Sequence, residues 1–330
     1  MKHILVIGGG GIGERHIRCF LKTGRAKVSV CEVKRERLEY LKTNYPISEI
    51  FASFDDIDLA RFDGVVIATP AHLHIPIAIR CAKNGRACLI EKPLSVNLDN
   101  VDELLKIVSG KKLTVGIGYV RRSLPSYKKL KKLVEEGIIG TLKMGRINLS
   151  QEYPKYRPDY RDIYYAREEM GGGCILDAAT HGINLAQYYF GEIKDAIGFY
   201  DHLELEGVEV EDSSIIILRF GNKALVDIFV NQFQKPNITE IELIGNKGNL
   251  KYTVNGEIHQ ITFCNNDSNN WEEIAVYRFS RDDPYIFQAN EFLDALEGKN
   301  SVSTNIIEAK KALLVALYVK SFQKERRKAV

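Results

Sequence analysis

The chain has 330 residues, with 45% hydrophobic and 27% charged residues, and 46 Lys plus Arg against 43 Asp plus Glu leave a net charge of +3. That balance excludes a broad nucleic-acid surface, and the length exceeds what one hydrophobic core serves well, so two domains are expected. No apolar stretch approaches the ~20 residues needed to cross a bilayer, and the six cysteines (19, 31, 81, 88, 174 and 264) show no Cys-x-x-Cys spacing, which together predict a cytoplasmic protein with reduced thiols and no membrane partner.

The first third alternates short β-branched runs with amphipathic stretches, the pattern of a parallel sheet covered on both faces. Strands are predicted at His3 to Gly8, Lys27 to Glu32, Gly64 to Ala68, Ala87 to Glu91 and Leu113 to Tyr119. Crossover helices are predicted at Ile12 to Thr23, Lys34 to Asn44, His74 to Asn84 and Asn97 to Ser109, the last carrying Val101, Leu104, Leu105 and Val108 at helical spacing. A helix from Pro125 to Glu136 follows, and the Gly137 to Gly140 turn opens a different texture of alternating strands and hairpin turns.

Those later strands are Lys143 to Tyr153, Ile193 to His202, Ser213 to Phe220, Ala224 to Asn231 and the segments up to Phe263 that Gly245 to Gly248 and Asn255-Gly256 separate. They predict a largely antiparallel sheet of about six or seven strands. Its one face is expected beneath the Asp177 to Phe190 helix and the terminal helices, and its other face open as a homodimer or homotetramer interface. The predicted architecture is therefore α/β: a doubly wound parallel Rossmann sheet over residues 1–120, and an α/β domain with a large open sheet over residues 121–330. The basic run Lys324 to Lys328 reads as a short terminal tail.

Gly8-Gly9-Gly10-Gly11-Ile12-Gly13 reads as Gly-x-Gly-x-x-Gly between the first strand and the first helix. Gly8 permits the tight turn, Gly10 lets backbone approach a pyrophosphate, Gly13 allows close helix–strand packing, and the helix N-terminus, with Gly11 and Ile12, offers amide donors. Glu32 closes the second strand, where a carboxylate accepts hydrogen bonds from ribose hydroxyls and repels a 2′-phosphate. NAD is favoured over NADP; Lys34 and Arg35 either offset part of that repulsion or, the favoured reading, are a solvated helix start.

Further motifs follow in order: Ala68-Thr69-Pro70 with His72 and His74, then Glu91-Lys92-Pro93, then Gly171-Gly172-Gly173 before Asp177-x-x-x-His181. Their order and spacing resemble the Gfo/Idh/MocA family, the glucose-fructose oxidoreductase and inositol dehydrogenase relatives. The resemblance extends through Gly116 to Pro125, Glu136 to Gly140 and Tyr285 to Ser321. It implies a two-domain NAD(P)-dependent oxidoreductase acting on a secondary alcohol of a sugar, cyclitol or sugar derivative, or on its ketone, in a cleft between the domains. It also implies that Lys92, Asp177 and His181 are the catalytic group and that Thr69, Pro70, His72, His74 and Glu91 lie near the dinucleotide.

The chemistry is sound on its own terms. Hydride leaves a carbinol carbon more easily if the hydroxyl loses its proton at the same time, and imidazole, with an ordinary pKa of about 6.5, is suited to take it. Lys92 would stabilise the developing alkoxide, and Asp177 would orient substrate or hold the imidazole tautomer. A competing reading is a metal site of Cys174, Asp177 and His181 with His72-x-His74, which lacks the paired ligand spacing metals favour. No metal is expected. His16, His72 and His74 read equally as packing or capping residues.

The stretch Gln151 to Met170 is dense in Tyr and Arg, including Tyr153, Tyr156, Arg157, Tyr160, Arg161, Tyr164, Tyr165 and Arg167. Aromatic faces stack on sugar rings and Arg forks grip carboxylate or phosphate, so Tyr153, Arg157, Tyr160 and Arg161 join Tyr119 and Arg121 as candidate contacts to an acidic sugar or sugar nucleotide. Packing against a neighbouring subunit is the alternative for this loop. Around Arg157, Tyr160, Arg161 and Tyr164 the chain is similar to family members of surface-polysaccharide and nonulosonic-acid pathways, yet Gly182 and Asn184 stand where those carry Glu and Asp. Two other outcomes stay open: a non-redox net reaction with NAD recycled in place, and a catalytically silent cofactor-binding regulator.

Overall fold

The computed structural model describes residues 1–268 and 270–329, with side chains through Gln323. In chain order the first elements are β1 (Lys2–Ile7), α1 (Gly11–Lys22), β2 (Ala26–Cys31), α2 (Arg35–Asn44), β3 (Ile50–Phe51), β4 (Gly64–Ile67), α3 (His74–Lys83), β5 (Ala87–Ile90), α4 (Val101–Lys111), β6 (Val115–Ile117) and α5 (Pro125–Glu135). There follow β7 (Leu142–Glu152), α6 (Tyr153–Tyr156), α7 (Thr180–Phe190), β8 (Ile193–Asp201), β9 (Ser213–Phe220), β10 (Leu225–Asn231) and β11 (Phe233–Gly245). The chain closes with β12 (Gly248–Asn255), β13 (Ile258–Asn265), β14 (Glu272–Arg278), α8 (Asp283–Leu296) and α9 (Ile306–Ala329).

The first compact unit comprises Met1–Leu124 and Arg281–Lys310. Its six strands run in the order β3-β2-β1-β4-β5-β6, all parallel, with Leu5 registered between Ser29 and Val65. β1, β4 and β5 are almost wholly buried because helices cover both faces. In such a sheet the carboxyl ends of the strands beside the order reversal, here β1 and β4, form the crevice where ligands bind. The two-residue β3 lies at the sheet edge and carries too short a pattern to be seen in sequence.

The second unit comprises Pro125–Ser280 and Lys311–Val330. It holds an eight-stranded sheet, order β14-β13-β12-β11-β7-β10-β9-β8, antiparallel except for the β7–β10 pair. The count exceeds the expected six or seven because β14, a charged edge strand, shows little apolar alternation. β11 shifts register between Phe233 and Ile238, across Pro236, which has no N–H to give the ladder. Helices lie on one face: a Cβ on Gly182 of α7 would come 2.7 Å from Ile228, and one on Gly198 of β8 would come 3.0 Å from Val319 of α9.

The division at residue 120 with everything after it in one domain needs correction. Arg281–Lys310 returns to the first unit, so α8 packs on the parallel sheet rather than over the open one. Ala289, Phe292 and Leu293 of α8 are buried with Ile4, Val6, Ile17 and Phe20. Gly64 makes room for it, since a Cβ there would sit 2.9 Å from the Phe292 ring. Arg18 and Lys22 of α1 anchor the start of α8 by pairing with Asp282, at 2.6 and 2.8 Å. α9 leaves this unit at Lys310 and continues in the second; its basic run Lys324 to Lys328 has side chains outside the described residues. No helix among the described residues is long and apolar enough to cross a membrane.

Candidate functional site

The glycine loop sits at the crevice end of β1. Gly8 has φ +93°, and a Cβ there would come 2.6 Å from the Ala68 carbonyl oxygen, a backbone state that only glycine adopts cheaply. A Cβ on Gly13 would collide with the Gly8 oxygen at 1.8 Å, so α1 can approach β1 only with glycine there. Gly10 and Gly11 differ: a Cβ on either meets nothing within 4 Å. Gly10 is the N-cap of α1 and no side chain caps the helix, which leaves first-turn amides at Gly11 and Ile12 directed to the open side.

Glu32 follows the end of β2 and touches this loop. Its Oε2 accepts the Gly9 N–H at 2.7 Å and its Oε1 accepts the Lys34 N–H at 2.8 Å. The carboxylate is thereby fixed in orientation while each oxygen keeps a further acceptor position. Thr69, beside Gly8 at the end of β4, has a buried hydroxyl without a hydrogen-bond partner among the described residues. Open glycines, uncapped amides, an aimed carboxylate and an orphaned hydroxyl together fit a dinucleotide. Sequence reasoning missed Arg37, which donates to the Gly9 carbonyl at 2.6 Å; nothing in the motif marks a residue of α2 as a neighbour of the loop.

Lys92 follows β5 and is half-buried. Around it the backbone is tied by buried side chains. Glu91 accepts the Lys92 N–H at 3.0 Å and meets His16 Nε2 of α1 at 2.7 Å. Burial alone would raise the Glu91 carboxyl, but the His16 hydrogen bond and charge, with Lys92 beside it, hold it below the ordinary carboxylate value. His74 bridges the two loops, with Nδ1 2.9 Å from the Pro93 oxygen and Nε2 2.9 Å from the Thr69 oxygen. Burial pushes this imidazole below its usual pKa, against the pull of those carbonyls, and a neutral ring donates to one of them at a time. His16 and His74 are thus buried scaffold, whereas His72 is exposed in the 3-10 turn Ala71–Leu73. Pro70 caps that turn.

At the junction after β6, Tyr119 is 1% exposed, and Arg121 is partly exposed. Arg122 is buried against Glu308 at 2.9 Å, and Ser123 donates to Glu291 at 2.8 Å.

In the second unit, Asp177 lies in a π-helical turn, Ile175–Ala179, that runs into α7 with His181. The sequence spacing predicts one regular helix from Asp177; the wider turn is the difference, and such turns recur at functional sites. Asp177 is 7% exposed and its Oδ1 accepts the Tyr164 hydroxyl at 2.8 Å. Burial and then the Asp177 charge push the Tyr164 phenol well up, keeping it a donor. His181 is partly exposed. The glycine run enters this turn tightly: a Cβ on Gly172 would lie 2.2 Å from the Tyr165 oxygen, and one on Gly173 2.5 Å from the Glu211 carboxyl carbon. Glu211 accepts the Ile175 N–H at 3.3 Å and pairs with Lys320 at 3.2 Å.

Several predicted sugar contacts are turned inward. Tyr153, Tyr160 and Tyr165 form a buried cluster with Leu205, Val208 and Val210. The Tyr160 hydroxyl donates to the Glu206 oxygen at 2.7 Å, and Arg161 donates to the same oxygen at 2.9 Å with its guanidinium 4.5 Å over the Tyr160 ring. Tyr160 is buried against the 205–210 segment of its own chain, while Arg161 stays exposed with its guanidinium on the Glu206 carbonyl. Arg157 stays partly exposed. Cys174 is fully buried, its thiol pushed well up by desolvation, and among the described residues no three His, Cys, Asp or Glu side chains gather where a metal could be held.

Two family models match: residues 2–119 match the oxidoreductase family with an NAD-binding Rossmann fold, and residues 127–251 match the GFO/IDH/MocA C-terminal domain. The chain is 25% identical to myo-inositol 2-dehydrogenase of Thermotoga maritima, covering 98% of this chain and 96% of that one. Among solved structures it is similar to a levoglucosan dehydrogenase in complex with NADH, with TM-score 0.87 at 21% identity over 97% of this chain and 96% of that one. It is also similar to the WlbA dehydrogenase of Bordetella pertussis in complex with NADH and UDP-GlcNAcA, with TM-score 0.80 at 23% identity over 100% and 97%.

Proposed function

Because the chain belongs to the Gfo/Idh/MocA oxidoreductase family, we propose that it is an NAD-dependent dehydrogenase that oxidises a secondary alcohol of a sugar, cyclitol or sugar derivative, or reduces the matching ketone. The observation that carries this reading is the glycine loop: open at Gly10 and Gly11, closed to side chains at Gly8 and Gly13, with Glu32 bound to Gly9. Bound NAD supplies the two-electron acceptor. The cofactor contacts we assign are Gly8, Gly10, Gly11, Ile12, Gly13, Glu32, Thr69 and Pro70, with Glu91 and His74 fixing the turn that carries Lys92.

The remaining chemistry falls to Lys92, Asp177 and His181. His181 takes the hydroxyl proton as general base, Lys92 places an ammonium against the oxygen as negative charge develops, and Asp177, held by Tyr164, orients the substrate or the imidazole. Glu91 sets the backbone of Lys92 through its N–H. Arg121 and Arg157 are the proposed substrate contacts, and their guanidinium forks suit an acidic sugar or sugar nucleotide. Tyr119 and Tyr153, the other candidate contacts, are buried.

The test is NADH formation by the purified protein across free sugars, inositols, uronic acids and sugar nucleotides, in both directions. One responding class is expected, and Lys92→Met and His181→Ala should each lower kcat at least 10²-fold with NADH affinity within about threefold of wild type. Unchanged turnover in those variants would remove the residues from catalysis. Silence across the panel with NAD bound to the purified protein would favour the recycled-cofactor reaction or the regulatory role.

The outer face of the eight-stranded sheet supports self-association. Met144, Ile197, Phe199, Ile215, Ile217 and Leu225 are each 37–64% exposed there, and we assign this face as the contact between copies.

A further inference from the structure

The loop-facing side of α2 carries a pairing that the dinucleotide motif does not require. Arg37 reaches back from α2 so that its Nε donates to the Gly9 carbonyl at 2.6 Å while its Nη2 pairs with Glu14 Oε2. The guanidinium lies 4.8 Å over the Tyr40 ring. Glu14, in the first turn of α1, is held from its other oxygen by the Tyr45 hydroxyl at 2.6 Å. Gly9 is therefore gripped on both sides, its N–H by Glu32 and its carbonyl by Arg37.

One glycine is thus held by an acid at its N–H and by a cation at its carbonyl, both at the loop where the dinucleotide is assigned. A guanidinium near this loop is the group that ordinarily accepts a 2′-phosphate. Lys34 and Arg35, the basic residues legible in the sequence, are exposed, whereas Arg37 is half-buried and committed. Burial would raise the Glu14 carboxyl, but its hydrogen bonds to Tyr45 and Arg37 hold it below the ordinary value, so it stays ionised at neutral pH.

We propose that Glu14 is a specificity-determining residue: by engaging Arg37 it withholds the guanidinium from a 2′-phosphate, so that this chain selects NAD(H) over NADP(H) through two acids, Glu32 and Glu14. Glu32 repels the phosphate, and Glu14 neutralises the cation that would attract it. The inference rests on the dinucleotide reading above, and it differs from a merely structural α1–α2 tie in requiring Arg37 to act on the ligand once released.

The experiment is fluorescence titration of the full chain with NADH and with NADPH, which needs no substrate. Wild type is expected to bind NADH more tightly. Glu14→Gln, which keeps the side-chain shape and an acceptor for Tyr45, should tighten NADPH relative to NADH about tenfold, the scale of one charge-assisted hydrogen bond. Adding Arg37→Met should return the ratio to within twofold of wild type. A Glu14→Gln ratio within twofold of wild type, or a gain that survives Arg37→Met, overturns the proposal while leaving the dinucleotide site intact. A wild type that prefers NADPH also overturns it. A wild type that binds neither dinucleotide overturns the proposed function and this inference together.

Discussion

His74 shows how much one buried side chain can be asked to do. Its ring joins the Thr69 and Pro93 carbonyls at 2.9 Å each, so the cofactor-side loop and the Lys92 turn share a single strut. Burial holds this imidazole below 6.5, and His3, buried with Nε2 2.8 Å from the Ser29 hydroxyl, is lowered by desolvation as well. The sign follows from linkage: an unfolded chain takes up these protons near 6.5 while the folded chain resists, so stability falls as pH drops through that value. The slope is at most about 1.4 kcal/mol per pH unit for each group. Thermal melts between pH 8 and 5 should show this fall, with His74→Asn flattening it in part because His3 still contributes; an unaltered slope would show that His74 is not held neutral. Glu91 adds to the same side only at lower pH, since its lowered carboxyl costs stability as pH falls below the ordinary 4.5.

Among the elements, α8 departs furthest from its position in the chain. It lies after the whole eight-stranded sheet yet completes the core of the parallel one, where Phe292 meets Phe20 edge to face at 6.3 Å. Truncating a buried Phe leaves a cavity and costs about 3–5 kcal/mol. Phe292→Ala is expected to lower the unfolding free energy of the first unit by that amount in urea titration, and NADH affinity with it at temperatures near the transition; a loss under 1 kcal/mol would mean that α8 is not part of this core. The π-helical turn before α7 is a second local departure. Periodicity reads Asp177 and His181 as one helical face, because four residues make nearly a full turn at either pitch, so the spacing carries no sign of the widened ladder.

For the molecule as a whole, the outer face of the eight-stranded sheet carries a row of exposed apolar side chains. β9 alternates buried and exposed residues along its length, and the exposed set is Ile215, Ile217 and Arg219, with Phe199 of β8 64% exposed on the same strand pair. Charging that face should separate copies: Phe199→Glu with Ile217→Lys is expected to halve or quarter the mass by light scattering, with the NADH affinity of each chain kept. An unchanged mass would assign the face to another role.

The chain's order of residues was enough to specify five of the six parallel strands and the glycine loop with Glu32 beside it, and to put Asp177 and His181 on one helical segment, because each depends on contacts within one βαβ unit or one helix and leaves a local period or motif. It also showed the change of texture at the Gly137 to Gly140 turn. Tertiary structure alone decided that Arg281–Lys310 belongs to the first unit, since an amphipathic helix records that it buries a face but not against which sheet. The same reason buried Tyr160 and left Arg161 exposed on the same carbonyl: Tyr and Arg serve a sugar or a neighbouring backbone carbonyl equally well, and Glu206, more than forty residues on, is the partner both hydrogen-bond. Arg37 and Glu14 stand 23 residues apart, and only the packing of α1 and α2 at the crevice made them a pair.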